Sequence, residues 1–130
     1  MPLEDRLRRA AEAWIQRAKG NLARAKQPKP DEGFWEDLCF DAQQAAGKAV
    51  KAILVLRGIN FPRTHDIADL LALVVQNEIP DDLWEADSLS EYATVARYPG
   101  RQPASEQDRQ KAIILAEQVV RWAEGIIYTH

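Results

Sequence analysis

Five side chains that can hold a phosphate or move a proton crowd one stretch, DAQQAAGKAVKAILVLRGINFPRTHDIADLL: Lys48, Lys51, Arg57, Arg63 and His65. A neutral imidazole at His65 can serve as general base or acid near neutral pH. A guanidinium at Arg63 or Arg57 can grip a phosphate through two parallel N–H donors. Thr64 or His65 marks the start of a helix, whose open amides favour an anion, and Asp66 suits the same positive end. The plainer alternative is a histidine that only caps that helix. Upstream, Asp41, Gln44, Lys48 and Lys51 step by three, four and three, so they line one helix edge. Such an edge is either a solvated face with an acid-to-base charge pattern or a polar seam turned toward a partner helix or a ligand phosphate. A later run, Arg97-Tyr98-Pro99-Gly100-Arg101, is either a helix stop with Arg97 at the negative helix end or a second phosphate-binding edge.

The elements that must carry these groups all read as helices. Leu7, Ala11, Trp14, Ala18, Leu22 and Ala25 share one face of a first helix that ends before Pro28 and Pro30. A second helix starts near Asp31–Phe34, with Phe34, Leu38, Ala42, Ala45, Ala49, Ile53 and Leu56 as its stripe and Gly58 as its stop. The alanines in mid-stripe let another helix come close. A third helix is expected from about Asp66 to Gln76, and a fourth from Pro80–Asp82 toward Ala96. Ser105 to Asp108 forms a capping-box variant that opens a fifth helix, reaching about Ile127. The apolar set of that last helix covers more than one face. It is therefore either the central helix or a surface that meets a second copy. Trp14, Trp35, Trp84 and Trp122 fall on apolar stripes and are expected in the core. The fold class is all-α, an up-and-down bundle of about five helices in one domain spanning residues 1–130.

Composition excludes several functions. At 130 residues the chain buries enough surface to fold without disulfide or metal. The lone Cys39 sits among apolar neighbours and reads as a small buried thiol, and no zinc spacing, phosphate-binding glycine loop or serine-nucleophile elbow is present. No metal or cofactor is expected. No apolar run reaches membrane-spanning length, and a cytoplasmic location is expected. The net charge of -3 hides an asymmetry: residues 1–30 carry eight Lys/Arg against three Asp/Glu, while residues 78–91 hold six acids and no base. Bulk duplex DNA is an unsuitable partner for such a surface, whereas a local phosphate site or a protein of complementary charge suits it.

Taken together, Ala42-Gln-Gln-Ala-Ala-Gly-Lys-Ala-Val-Lys-Ala52, Arg57-Gly58, Thr64-His65-Asp66-Ile67, Leu70-Leu71 and Tyr92 with Ala96-Arg97-Tyr98-Pro99 resemble the HEPN domain. The similarity runs from about Trp35 to the last helix. The resemblance implies a helical bundle that forms a homodimer and pairs with a small nucleotidyltransferase in a prokaryotic toxin–antitoxin-like module. Many HEPN proteins are metal-independent ribonucleases, with an Arg followed after four to six residues by a His. Here seven residues separate Arg57 from His65, one separates Arg63 from His65, and eight separate Arg121 from His130. The expectation is therefore a nucleotide- or nucleotidyltransferase-binding protein without efficient catalysis. Lys48, Arg63, His65 and Arg97 would meet phosphate, and Asp41, Gln44 and Lys51 would form the polar seam. The alternative is an RNase toxin using Arg57 with His65, and a third reading is a purely structural antitoxin-like partner presenting the acidic 78–91 face.

Overall fold

The computed structural model describes residues 2–74, 78–95 and 103–128. Three long helices dominate: α1 (Leu3–Ala25), α2 (Trp35–Leu56) and α5 (Glu106–Ile127). Between α2 and α5 lie α3 (Ile67–Leu71), a 3-10 helix (Asp81–Glu91) and α4 (Tyr92–Val95). Contacts such as Arg24 with Asp41 and Lys26 with Glu117 set α1 antiparallel to both α2 and α5. The α3-to-α4 arm returns along α2, so the chain forms an up-and-down helical bundle.

The central helix is α2, not α5. Its Ala42, Ala45, Ala46 and Ala49 are fully buried, as are Ala11, Ala18 and Ala25 of α1, which packs along it. Small side chains on both helices allow this close approach, and Ile15, Val50, Ile53 and Leu54 fill what remains. Burying each large aliphatic chain contributes on the order of 2 kcal/mol. The wide apolar set of α5 resolves into one buried face, Ala112, Leu115, Ala116, Val119, Val120, Ala123 and Ile127, while Ile114 stays 59% exposed.

The helix ends follow local chemistry. Ser105 Oγ accepts from the Asp108 amide at 3.1 Å, and Asp108 Oδ2 accepts from the Ser105 amide at 2.8 Å, which completes the expected capping box. At the other end of α2, Gly58 adopts φ +67°, the one positive φ among the described residues. Its amide bonds Val55 O at 3.0 Å and the Ile59 amide bonds Leu54 O at 2.9 Å, a Schellman closure. A Cβ added at Gly58 would meet only Leu7 Cδ1 at 3.9 Å, so space is not the constraint. Gly58→Ala should therefore destabilise through backbone strain alone, by about 1–2 kcal/mol, read as a lower urea midpoint with unchanged slope. An unchanged midpoint would show that the left-handed closure contributes nothing.

Three expectations need correction. The third helix spans only Ile67–Leu71, because Leu73 and Val74 donate to Leu70 and Leu71 in tight i→i−3 turns. Its expected end at Gln76 lies outside the described residues. The fourth helix is mainly 3-10 rather than α. Its buried residues Leu83, Ala86 and Leu89 recur every three positions, which matches three residues per turn, and its Asp87 and Ser90 side chains bond the backbone of the α3 start. Finally, the four tryptophans are only half-buried and rim the core rather than fill it.

Candidate functional site

The edge of α2 that faces α1 is a hydrogen-bonded chain. Asp41 Oδ1 accepts from Arg24 Nη2 at 2.8 Å, from Arg24 Nε at 3.2 Å and from Asn21 Nδ2 at 3.0 Å. Asn21 Oδ1 in turn accepts from Lys48 Nζ at 2.7 Å. Asn21 is only 6% exposed, so its amide must be satisfied internally, and both ends of it are. The expected seam through Asp41 and Lys48 thus faces α1.

Lys51 lies farther along. Its ammonium stands 5.6 Å from the Trp14 ring centroid and 5.7 Å from that of Phe61, and the two rings meet edge-on at 6.3 Å. Burial lowers the pKa of Lys51. Burial also lowers that of Lys48, and the nearby charges of Arg17, Arg24 and Lys51 add to the effect, against Asp41 alone. Four cations thus share one edge with a single carboxylate.

The His65 turn is pinned to this edge by Gln43, which is 1% exposed. Gln43 Nε2 donates to His65 O at 2.7 Å, and its Oε1 accepts from Gln44 Nε2 at 2.8 Å. Thr64 Oγ1 accepts from the Asp66 amide at 3.0 Å. The expected cap at the start of α3 is more distributed than the sequence implies. Asp66 is the N-cap but makes no side-chain cap bond. Ser90 Oγ accepts from the Ile67 amide and Asp87 Oδ1 from the Ala68 amide, each at 2.9 Å, so the 3-10 helix caps α3 from across the fold. The hydrogen bond with Asp87, then burial, raises the pKa of Asp66. Burial opposes ionisation of Asp87, but its bonds to the Ala68 amide, Asp66 and Ser90 outweigh that and hold its pKa low.

Gln44, Lys48, Lys51 and His65 line one crevice together with Gln43 and Thr64. Its volume is about 10 Å³, room for a single water rather than a nucleotide. Arg63 is exposed beside the turn and Arg57 pairs with Glu78; neither lines the crevice. Arg97 lies outside the described residues. On its other side Lys48 also borders an open groove along α1 of about 410 Å³, lined by Ala10, Ala13, Trp14 and Arg17. Among the described residues no group of three His, Cys, Asp or Glu is placed to hold a metal ion, and no helix is long and apolar enough to cross a membrane. Burial pushes the Cys39 thiol up to about 12, so it is no nucleophile near neutral pH.

The family model for the HEPN domain matches residues 11–126. The chain belongs to the HEPN domain family. This HEPN protein is 32% identical over 98 residues to the Methanocaldococcus jannaschii protein named "Putative toxin MJ1304", a match covering 68% of the chain and 63% of that relative's length. Two solved structures agree in fold. An archaeal HEPN homologue, ST0689, superposes with TM-score 0.69 at 30% identity, covering 90% of this chain and 97% of that one. TT1696 from Thermus thermophilus superposes with TM-score 0.76 at 32% identity, covering 88% and 95%.

Proposed function

We propose that this HEPN protein binds nucleoside phosphates at the α1–α2 edge, as a component of a toxin–antitoxin-like module without efficient catalysis. The observation that carries this reading is the crowding of Arg17, Arg24, Lys48 and Lys51 against one carboxylate, Asp41. Burial lowers the pKa of both lysines, and at Lys48 the like charges of Arg17, Arg24 and Lys51 add a repulsion that an anion relieves. His65 and Lys48 on one crevice, with Arg63 exposed nearby, extend the anionic site toward the start of α3, and Arg97 is assigned to the same set from sequence. The toxin designation of the archaeal relative supports the module. A homodimer and a small nucleotidyltransferase are its proposed partners, with the acidic 78–91 face as a contact for the latter.

Calorimetric titration with nucleoside mono- and triphosphates tests the binding. His65→Ala is expected to weaken it about tenfold, the loss of one charge-assisted contact. Absence of heat with every nucleotide would sink the reading. His65 and Lys48 sharing a crevice also favours metal-independent RNA cleavage as a second reading. That reading further needs Arg57 to leave Glu78 for the phosphate. It requires a cyclic-phosphate product in the presence of chelator, and intact RNA after prolonged incubation would remove it.

A further inference from the structure

The water-sized crevice beside His65 cannot hold a nucleotide, yet Lys48, which lines it, also borders a groove of nucleotide size on its other flank. We infer that the α1 groove formed by Ala10, Ala13, Trp14, Arg17 and Lys48 is a nucleoside-phosphate subsite, taking the base against Trp14 and the phosphate between Arg17 and Lys48. The inference rests on the phosphate-binding reading above and deepens it by placing the body of the ligand. Neither Trp14 nor Arg17 belongs to the His65 turn, so this is a separate claim about where binding occurs.

Three features fit that ligand. First, the groove is open because α1 presents only the methyl groups of Ala10 and Ala13 along its floor, both exposed. The Trp14 indole lines the groove and is held by the Lys51 ammonium, 5.6 Å from its ring centroid, and by the Phe61 ring, which meets it edge-on. An indole so fixed loses little freedom when a base packs on it, and base–aromatic contact contributes about 1–3 kcal/mol. Second, the charged groups at the rim are cations: Arg17 is exposed and Lys48 is half-buried. Third, the groove wall is helical backbone whose amides and carbonyls bond internally. It offers an extended peptide no partners for its own amides. A base needs only a π surface, so the aromatic wall favours a nucleoside over an acidic peptide.

The test is calorimetry on the full chain with AMP, adenosine, inorganic phosphate and single-stranded hexa-adenylate as separate probes. AMP is expected to bind more tightly than adenosine or phosphate alone, since the groove holds both parts. Ala13→Trp fills the floor from an exposed position, and Arg17→Ala removes the rim cation. Each should weaken AMP about tenfold. Arg121→Ala removes the same charge from α5, where Arg121 pairs with Glu117, and should leave affinity unchanged. Hexa-adenylate binding more tightly than AMP, with the same loss in both variants, would identify the unit as part of a strand; equal affinities would identify a free nucleotide. If the wild type binds AMP and His65→Ala weakens it while Ala13→Trp and Arg17→Ala bind normally, the subsite is wrong and the broader reading survives. If no probe binds the wild type, both fall. Hexa-glutamate bound more tightly than AMP, and lost in the same two variants, would overturn the nucleoside assignment.

Discussion

Lys48→Glu is expected to lower nucleotide affinity on the order of a hundredfold while leaving the fold as stable as before, within about 1 kcal/mol. The binding loss follows from position: Lys48 is the residue common to the His65 crevice and the α1 groove. Removing its ammonium takes away a charge-assisted contact, and the new carboxylate repels phosphate. The stability argument runs the other way. Burial, together with Arg17, Arg24 and Lys51, lowers the pKa of Lys48. A folded-state pKa below the unfolded value means that the folded protein holds the proton less tightly. The charged lysine therefore weakens folding at neutral pH, and this penalty fades as pH rises through the folded pKa. A carboxylate at the same place would sit among cations instead. Against that stands the loss of the 2.7 Å bond to Asn21, which has only one lysine to accept from. The two effects nearly offset. Calorimetry and a thermal melt of the same sample check both halves, and a melting point lowered by more than about 5 °C would show that the Asn21–Lys48 bond outweighs the repulsion.

Arg109→Ala should be the most damaging substitution of a charged side chain, costing about 3 kcal/mol. Arg109 Nη1 donates to Ala25 O at 3.1 Å and to Gln27 O at 3.0 Å, two carbonyls left open at the end of α1. Its guanidinium also lies 5.0 Å from the Trp35 ring centroid at the start of α2. One side chain from α5 thus closes α1 and steadies α2. Each charge-assisted bond contributes about 1 kcal/mol at a partly exposed site, and the cation–π contact about as much again. Arg109→Lys keeps the charge but loses the planar guanidinium whose Nη1 reaches both carbonyls while its face lies against the indole. It should recover less than half of the loss. Chemical denaturation of the three proteins measures this directly. Equal stability of the lysine variant and the parent would show that charge alone matters.

Much of this was visible in the chain itself. The long helices follow from four-and-three stepping, from Pro28 and Pro30 after α1, from Gly58 after α2 and from Ser105 with Asp108 before α5. These signals are local, and local chemistry decides them. The weak arm between α2 and α5 was harder to read. An Asp- and Ser-rich stretch with apolar residues every three positions suits a 3-10 helix, yet Leu83, Trp84, Leu89 and Tyr92 also suit an α-helical stripe. The α2 edge through Lys48 and the turn through His65 were legible as a pair, and Gln44, Lys48, Lys51 and His65 do share a crevice. Arg57 belonged to the same stretch but turns to Glu78, a partner across the α3 arm that no local spacing announces. Asn21 was missed although its signal was present: with Leu7, Ala11, Trp14, Ala18 and Ala25 it completes a run stepping by four and three. A polar residue in such a seam is rarely idle. Gln43 was hidden by its neighbour, since two adjacent glutamines differ in role only once α2 is rotated into place. Arg17 and Arg109 act through helices distant in sequence, and only packing reveals them.

The five-residue α3 is too short to persist alone, because a single turn does not repay its nucleation. It is held by Ser90 and Asp87, which belong to a segment more than fifteen residues downstream. The turn that carries His65 is therefore tied on one side to the 3-10 helix and on the other to α2 through Gln43. The long helices set the cation edge in place, and this double clasp keeps the imidazole turn beside it.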